Sequence, residues 1–120
     1  METYDVQFMQ EALNDLEEIV LYIAQDSRQA ALRMHDKIIE KASDLSVFPK
    51  RGRLVPDKKM AEAGYRMLVI EPYIAFYRVL ERNVFIYRVL HGATNYPLLH
   101  IILLSGKKQT LARAFSAMLR

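Results

Sequence analysis

Apolar positions along this chain follow two different periods. Over residues 10–25 they recur every three or four places. Leu13, Leu16, Val20 and Ile23 share one face, while Glu11, Asn14, Asp15 and Glu18 lie largely off it. That period predicts an amphipathic helix. Residues 28–45 repeat it with Ala31, Met34, Ile38, Ala42 and Leu45. Gln25-Asp26-Ser27 separates the two, and Asp26 or Ser27 can cap the second helix. So short a link predicts an antiparallel hairpin.

From residue 64 the period shortens. Runs at 65–70, 73–80 and 84–91 are rich in Val, Ile, Tyr and Phe, which suit a pleated sheet. Glu71-Pro72 and Glu81-Arg82-Asn83 divide them. Breaks of that length allow antiparallel neighbours and leave no room for a crossover helix. A three-stranded meander is expected. Residues 4–8 alternate briefly and predict a first strand at an edge beside it.

Neither helical stripe can bury itself alone, and the sheet must cover one face. The expected fold class is therefore α+β in two layers, an N-terminal antiparallel helical hairpin packed on a small antiparallel β-sheet. Leu16, Val20, Ile38 and Leu45 are expected in the core.

Residues 47–63 show no apolar period. They contain Pro49, Gly52 and Pro56 among the cations Lys50, Arg51, Arg53, Lys58 and Lys59. The segment reads as a basic connecting loop, and long loops in compact domains often carry function. Near the end, residues 98–104 suit a further strand. Residues 107–119 suit a short helix with Leu111, Ala114, Phe115 and Met118 on one face.

Charge sharpens this division. Residues 1–48 hold ten acids and four bases, whereas residues 49–120 hold four acids and thirteen bases. A basic half suits a nucleic-acid ligand or an acidic protein partner. The alternative is a solvated surface. At 120 residues and 52% hydrophobic, the chain suits one domain with a real core. It contains no cysteine, which removes disulfides and thiolate metal sites and suits a reducing cytosol. Residues 1–10 do not read as a signal peptide, and the longest apolar run, 97–105, is too short to span a bilayer. A cytoplasmic protein without membrane association is expected.

The four glycines form no phosphate-binding or dinucleotide motif. His35, His91 and His100 are too dispersed for a metal set, so neither metal nor cofactor is expected. Metal-free RNA cleavage needs a base for the 2′-OH, an acid for the leaving oxygen and cations for the phosphorane. His91 can serve as acid or base, Tyr96 as proton donor, and Arg66 and Arg88 as bidentate phosphate ligands. Against this, Tyr65, Tyr73, Tyr77 and Tyr87 are ordinary sheet-filling residues, and a strand arginine often only reaches the rim.

Three stretches in order carry a family resemblance: ALNDLEEIVLYIA at 12–24, LSVFPKRGR at 45–53, and GYRMLVIEPYIAFYRV at 64–79 running into IYRVLHGATNY at 86–96. Together they resemble the RelE/ParE superfamily of bacterial type II toxins over about residues 4–99. The resemblance implies a toxin domain at 1–99 and a C-terminal extension of unknown role at 100–120. It implies a growth inhibitor neutralised by a cognate antitoxin, and a helical hairpin packed on an antiparallel sheet.

RelE-like members cleave messenger RNA on the ribosome, and ParE-like members poison DNA gyrase. Ribonuclease members usually carry an arginine three positions before the tyrosine of the middle strand. Tyr77 matches that tyrosine, so Ile74 stands in the arginine's place. HGATNY also lacks the usual basic residues near the last strand's end. The resemblance therefore leans towards gyrase, with target- or phosphate-binding expected of Lys50, Arg51, Arg53, Arg78 and Arg88. His91, Arg66 and Tyr96 would be catalytic only in a ribonuclease. An interaction module without toxin activity is the third alternative.

Overall fold

The computed structural model describes residues 3–92. The strand expected at 98–104, the helix expected at 107–119 and Tyr96 lie outside the described residues.

Strand β1 (Asp5–Phe8) leads directly into helix α1 (Gln10–Ala24), and α2 (Arg28–Ser43) follows. Ser27 starts α2, its Oγ accepting the Ala30 amide at 3.1 Å. That bond satisfies one of the amides left over at a helix start. A 3-10 turn, Asp44–Ser46, ends the hairpin with Leu45 buried. Leu16, Ile38 and Leu45 are core residues as expected, while Val20 is only half-buried.

The α1 stripe is rotated from the expected one. Ala12, Asp15, Leu16 and Ile19 face inward, and Leu13 is 44% exposed. Ala12 has no bulk to hold the helix away, and Asp15 has a partner on the sheet.

Three strands form the expected meander, β3 (Arg66–Ile70), β4 (Tyr73–Leu80) and β5 (Asn83–His91). Beyond β3 lies β2 (Arg53–Leu54), and the sheet order is β1-β5-β4-β3-β2. β1 does lie at an edge beside the meander, but it runs parallel to β5, with Asp5 opposite Asn83 and Phe8 opposite Ile86. The sheet is thus mixed rather than wholly antiparallel. The helical hairpin and the rest of the chain lie between these two strands in sequence, which is ample length for a crossover connection. In the β4–β5 turn Glu81 adopts φ 56°.

Residues 47–63 are not the uninterrupted loop that was expected. Besides β2 they form helix α3 (Lys58–Glu62), which Asp57 caps by accepting the Met60 amide at 2.9 Å. A two-residue strand and a single helical turn are too short to leave a period in the sequence.

The sheet has two covered faces. Against the hairpin lie Leu68, Ile70, Ala75, Tyr77, Val84, Ile86 and Val89. On the opposite face Met67, Ile74, Phe76 and Leu90 pack beneath Val55 and Met60. Each large apolar side chain so buried contributes about 1.5–3 kcal/mol. Among the described residues no helix is long and apolar enough to cross a membrane.

Candidate functional site: a basic loop held to the sheet

The cations at Lys50, Arg51 and Arg53 lie on the surface where the chain leaves the hairpin and enters β2. Pro49 and Gly52 break any regular structure there, so local bonds shape the loop. The Arg51 amide donates to the Phe48 carbonyl at 3.1 Å. The Arg51 guanidinium lies 5.2 Å from the Phe48 ring centre and 4.0 Å from the Asp44 carboxylate. Those exposed contacts are weak in water.

The firm attachment is at Gly52, which is buried between two exposed arginines. Its N–H donates to Tyr77 Oη at 2.9 Å, and its carbonyl accepts Arg66 Nη1 at 2.8 Å. Arg66 and Tyr77 are directly paired across β3 and β4, so their side chains reach the same stretch of loop. A Cβ on Gly52 would stand 2.6 Å from the Met67 carbonyl oxygen and 2.8 Å from Tyr77 Oη. Only glycine lets the loop lie this close. Burial raises the Tyr77 phenol above its ordinary pKa, and the Gly52 amide and the Arg66 charge act against that rise.

Arg78 projects from the other face of β4. Its guanidinium carbon lies 4.6 Å from the Tyr65 ring centre and 5.4 Å from that of Tyr87. Nε and Nη2 donate to Tyr87 Oη at 3.2 and 3.0 Å. Arg78 is therefore a half-buried cation set among aromatic rings, not one of the exposed loop cations.

Arg88 corrects the sequence-based expectation. It is 3% exposed, and its Nε and Nη2 both donate to the Asp15 carboxylate at 2.8 Å. A guanidinium enclosed in that pairing is not presented to a target phosphate. The same carboxylate accepts the Val89 amide at 2.9 Å. β1 stops opposite Ile86, so Asp15 satisfies an amide of β5 beyond the end of its partner strand. Burial pushes the Asp15 carboxyl above its ordinary range, and Arg88 and the Val89 amide oppose that push. A register shift at Phe76/Tyr77 leaves Tyr87 as the extra residue beside Arg88.

His91 is exposed at the end of β5, with its ring 5.8 Å from that of Tyr73 in an edge contact. Arg66 pairs with Tyr77, four residues further along β4 and on its other side. By strand geometry the Cα atoms of Arg66 and His91 stand on the order of 16 Å apart. Arg66 also points to Gly52, so it and His91 are not gathered about one phosphate. Among the described residues no group of three or more His, Asp or Glu is placed to hold a metal ion.

Reading by sequence missed Asp15, Gly52 and Tyr77 as organising residues. A signal existed for two of them. Asp15 falls beside Ile19, at the margin of the face that Ala12, Leu16 and Ile19 share on a helical wheel, and Gly52 lies inside a run of cations.

The family described as "ParE toxin of type II toxin-antitoxin system, parDE" matches residues 6–96. A curated relative, "Toxin RelE2" of Caulobacter vibrioides, is 40% identical over 83 residues, covering 68% of this chain and 88% of the relative. Among solved structures, one from the chromosomal ParDE toxin-antitoxin system of P. aeruginosa superposes with a TM-score of 0.62 at 23% identity. It covers 74% of this chain and 96% of that one. One from the RelBE2 toxin-antitoxin complex of Mycobacterium tuberculosis gives a TM-score of 0.57 at 27% identity, over 74% of this chain and 98% of that one.

Proposed function

The chain belongs to the ParE toxin family of type II toxin-antitoxin systems, and on that premise we propose that it arrests growth by inhibiting DNA gyrase. The observation that carries this reading is the state of the cations. Of the cations expected to bind a target, Lys50, Arg51 and Arg53 are exposed on one loop, whereas Arg78 is half-buried and Arg88 is enclosed with Asp15. Ile74, where ribonuclease members usually carry arginine, is buried with Met67, Phe76 and Leu90. Stabilising a phosphorane needs cations converging on one point, and His91 and Arg66 stand apart. A loop of fixed cations suits a large acidic or phosphate-bearing surface.

A cognate antitoxin is the second partner in this proposal, as in the ParDE and RelBE2 systems of the two structural neighbours. An acidic or amphipathic antitoxin segment suits the basic surface, by groove docking or by strand addition. Either target places the chain in the cytoplasm.

Ribosome-dependent cleavage of messenger RNA is the competing reading, supported by the RelE2 relative and by the exposed His91. Two assays on purified protein separate them. Gyrase inhibition requires loss of gyrase-dependent supercoiling with ribosome-bound messenger RNA left intact. Codon-positioned cuts with supercoiling untouched would reverse the assignment. No effect in either assay and no growth arrest would leave a plain interaction module.

A further inference from the structure

We infer that Tyr77 and Arg66 are positioning residues, which fix the basic loop in one arrangement by holding both backbone groups of Gly52. The functional half of this inference rests on the reading above, in which Lys50, Arg51 and Arg53 contact the target. The attachment itself rests on geometry alone.

Backbone bonds hold the two ends of the loop, from the Phe48 amide to the Asp44 carbonyl at 3.0 Å and from the Val55 amide to the Tyr65 carbonyl at 3.1 Å, and the cations between them have weaker ties. β2 contributes only two residues to the ladder, and the Arg51 contacts with Asp44 and Phe48 are long and exposed. The clasp differs in kind. Tyr77 is fully buried on β4, the central strand of the sheet, beside the register shift at Phe76/Tyr77. Its hydroxyl is thus anchored on a strand that is paired on both sides. Arg66 adds a charge-assisted bond from the neighbouring strand. Gly52 completes the fit, because a methyl group there would meet the Met67 carbonyl, which is backbone and cannot swing aside.

Two exposed cations, Arg51 and Arg53, flank the clasped residue directly, and Lys50 is one place further out. Freezing the backbone between them before a target arrives removes an ordering cost from binding. On this reading Tyr77, which never touches the target, sets how tightly the loop binds it. Arg66 likewise acts as a brace for the loop.

The test uses Tyr77→Phe, which keeps the ring and removes one hydroxyl, Gly52→Ala, and a triple variant with Lys50, Arg51 and Arg53 changed to Ala. Two readouts are taken: amide hydrogen exchange on purified protein, and the inducer dose that arrests bacterial growth at matched soluble levels. Loss of one buried bond should speed Gly52 amide exchange in Tyr77→Phe by about tenfold or more. Amides of β4 and β5 should remain protected. Tyr77→Phe and Gly52→Ala should then need a higher dose to arrest growth, in the same direction as the triple variant. Unchanged Gly52 exchange in Tyr77→Phe would overturn the clasp. Exchange accelerated equally across β3, β4 and β5 would reduce Tyr77 to a core residue and overturn its positioning role. If the triple variant fails to arrest growth while Tyr77→Phe and Gly52→Ala arrest it at the wild-type dose, the positioning inference fails alone. If the triple variant itself arrests growth normally, the target-contact reading fails, and the exchange result still decides the clasp.

Discussion

Arg88 and Asp15 lie 73 residues apart in sequence and meet inside the protein as a bidentate pair, with two bonds of 2.8 Å. The pair joins α1 to β5, and it explains why an acidic residue can occupy the buried stripe of a helix. Breaking it should cost far more than its net contribution, because the surviving charge stays buried. Asp15→Ala should destabilise by about 3–5 kcal/mol in denaturant unfolding. Replacing both partners, Asp15→Leu with Arg88→Met, should cost less, about 1–3 kcal/mol, since no unpaired charge stays buried and the Val89 amide loses one neutral bond. A double variant less stable than Asp15→Ala would contradict this account.

The rotated stripe of α1 gives a paired test. Leu16→Ala should cost about 2–5 kcal/mol, the range for a buried leucine. Leu13→Ala should stay within roughly 0.5 kcal/mol of wild type, because Leu13 is 44% exposed and far from special features. Similar losses at both positions, measured by chemical denaturation, would mean that the helix packs through the face first expected.

Alkaline pH should weaken the fold in a defined direction. Burial raises the phenols of Tyr65, Tyr73 and Tyr77 above their ordinary pKa. A group whose pKa is higher folded than unfolded resists ionisation only while folded. Its contribution is complete below the unfolded value, about pH 10, and is lost as pH rises through the folded value. Unfolding midpoints should therefore fall above about pH 10, and fall less steeply in Tyr73→Phe. A midpoint that is flat through that range would refute the assignment.

His91→Ala separates the two target readings. His91 is exposed, and its ring contact is with Tyr73, away from Arg66. Growth arrest should therefore be unchanged in this variant. A general acid or base contributes about a hundredfold or more to a reaction rate. Loss of arrest on that scale, in a variant that melts like wild type, would restore the ribonuclease reading.

The sequence by itself determined the large elements. Two helices, their hairpin, the three meander strands and the edge position of β1 were legible because each leaves a period several turns or residues long. Gly64 to His91 needed little more than alternation and two short breaks. The order of local patterns was also enough to point to the toxin superfamily.

Tertiary structure decided what those elements do to individual side chains. Period alone sorted Asp15 with the solvent face of α1, since charge normally avoids a core. Its burial depends on Arg88, and no local pattern announces a partner 73 residues away. The same long-range pairing takes Arg88 out of the set of cations a target can reach. The parallel course of β1 depends on its pairing with β5, which the chain reaches only after the hairpin and three further strands, and alternation within four residues cannot encode it. Gly52 reads in sequence as a break between arginines. Only the approach of Tyr77 and the Met67 carbonyl makes it the point where the basic loop is held. Periodicity reports the average polarity around a residue, whereas a hydrogen bond or an ion pair depends on one particular neighbour. That neighbour exists only once the chain has folded.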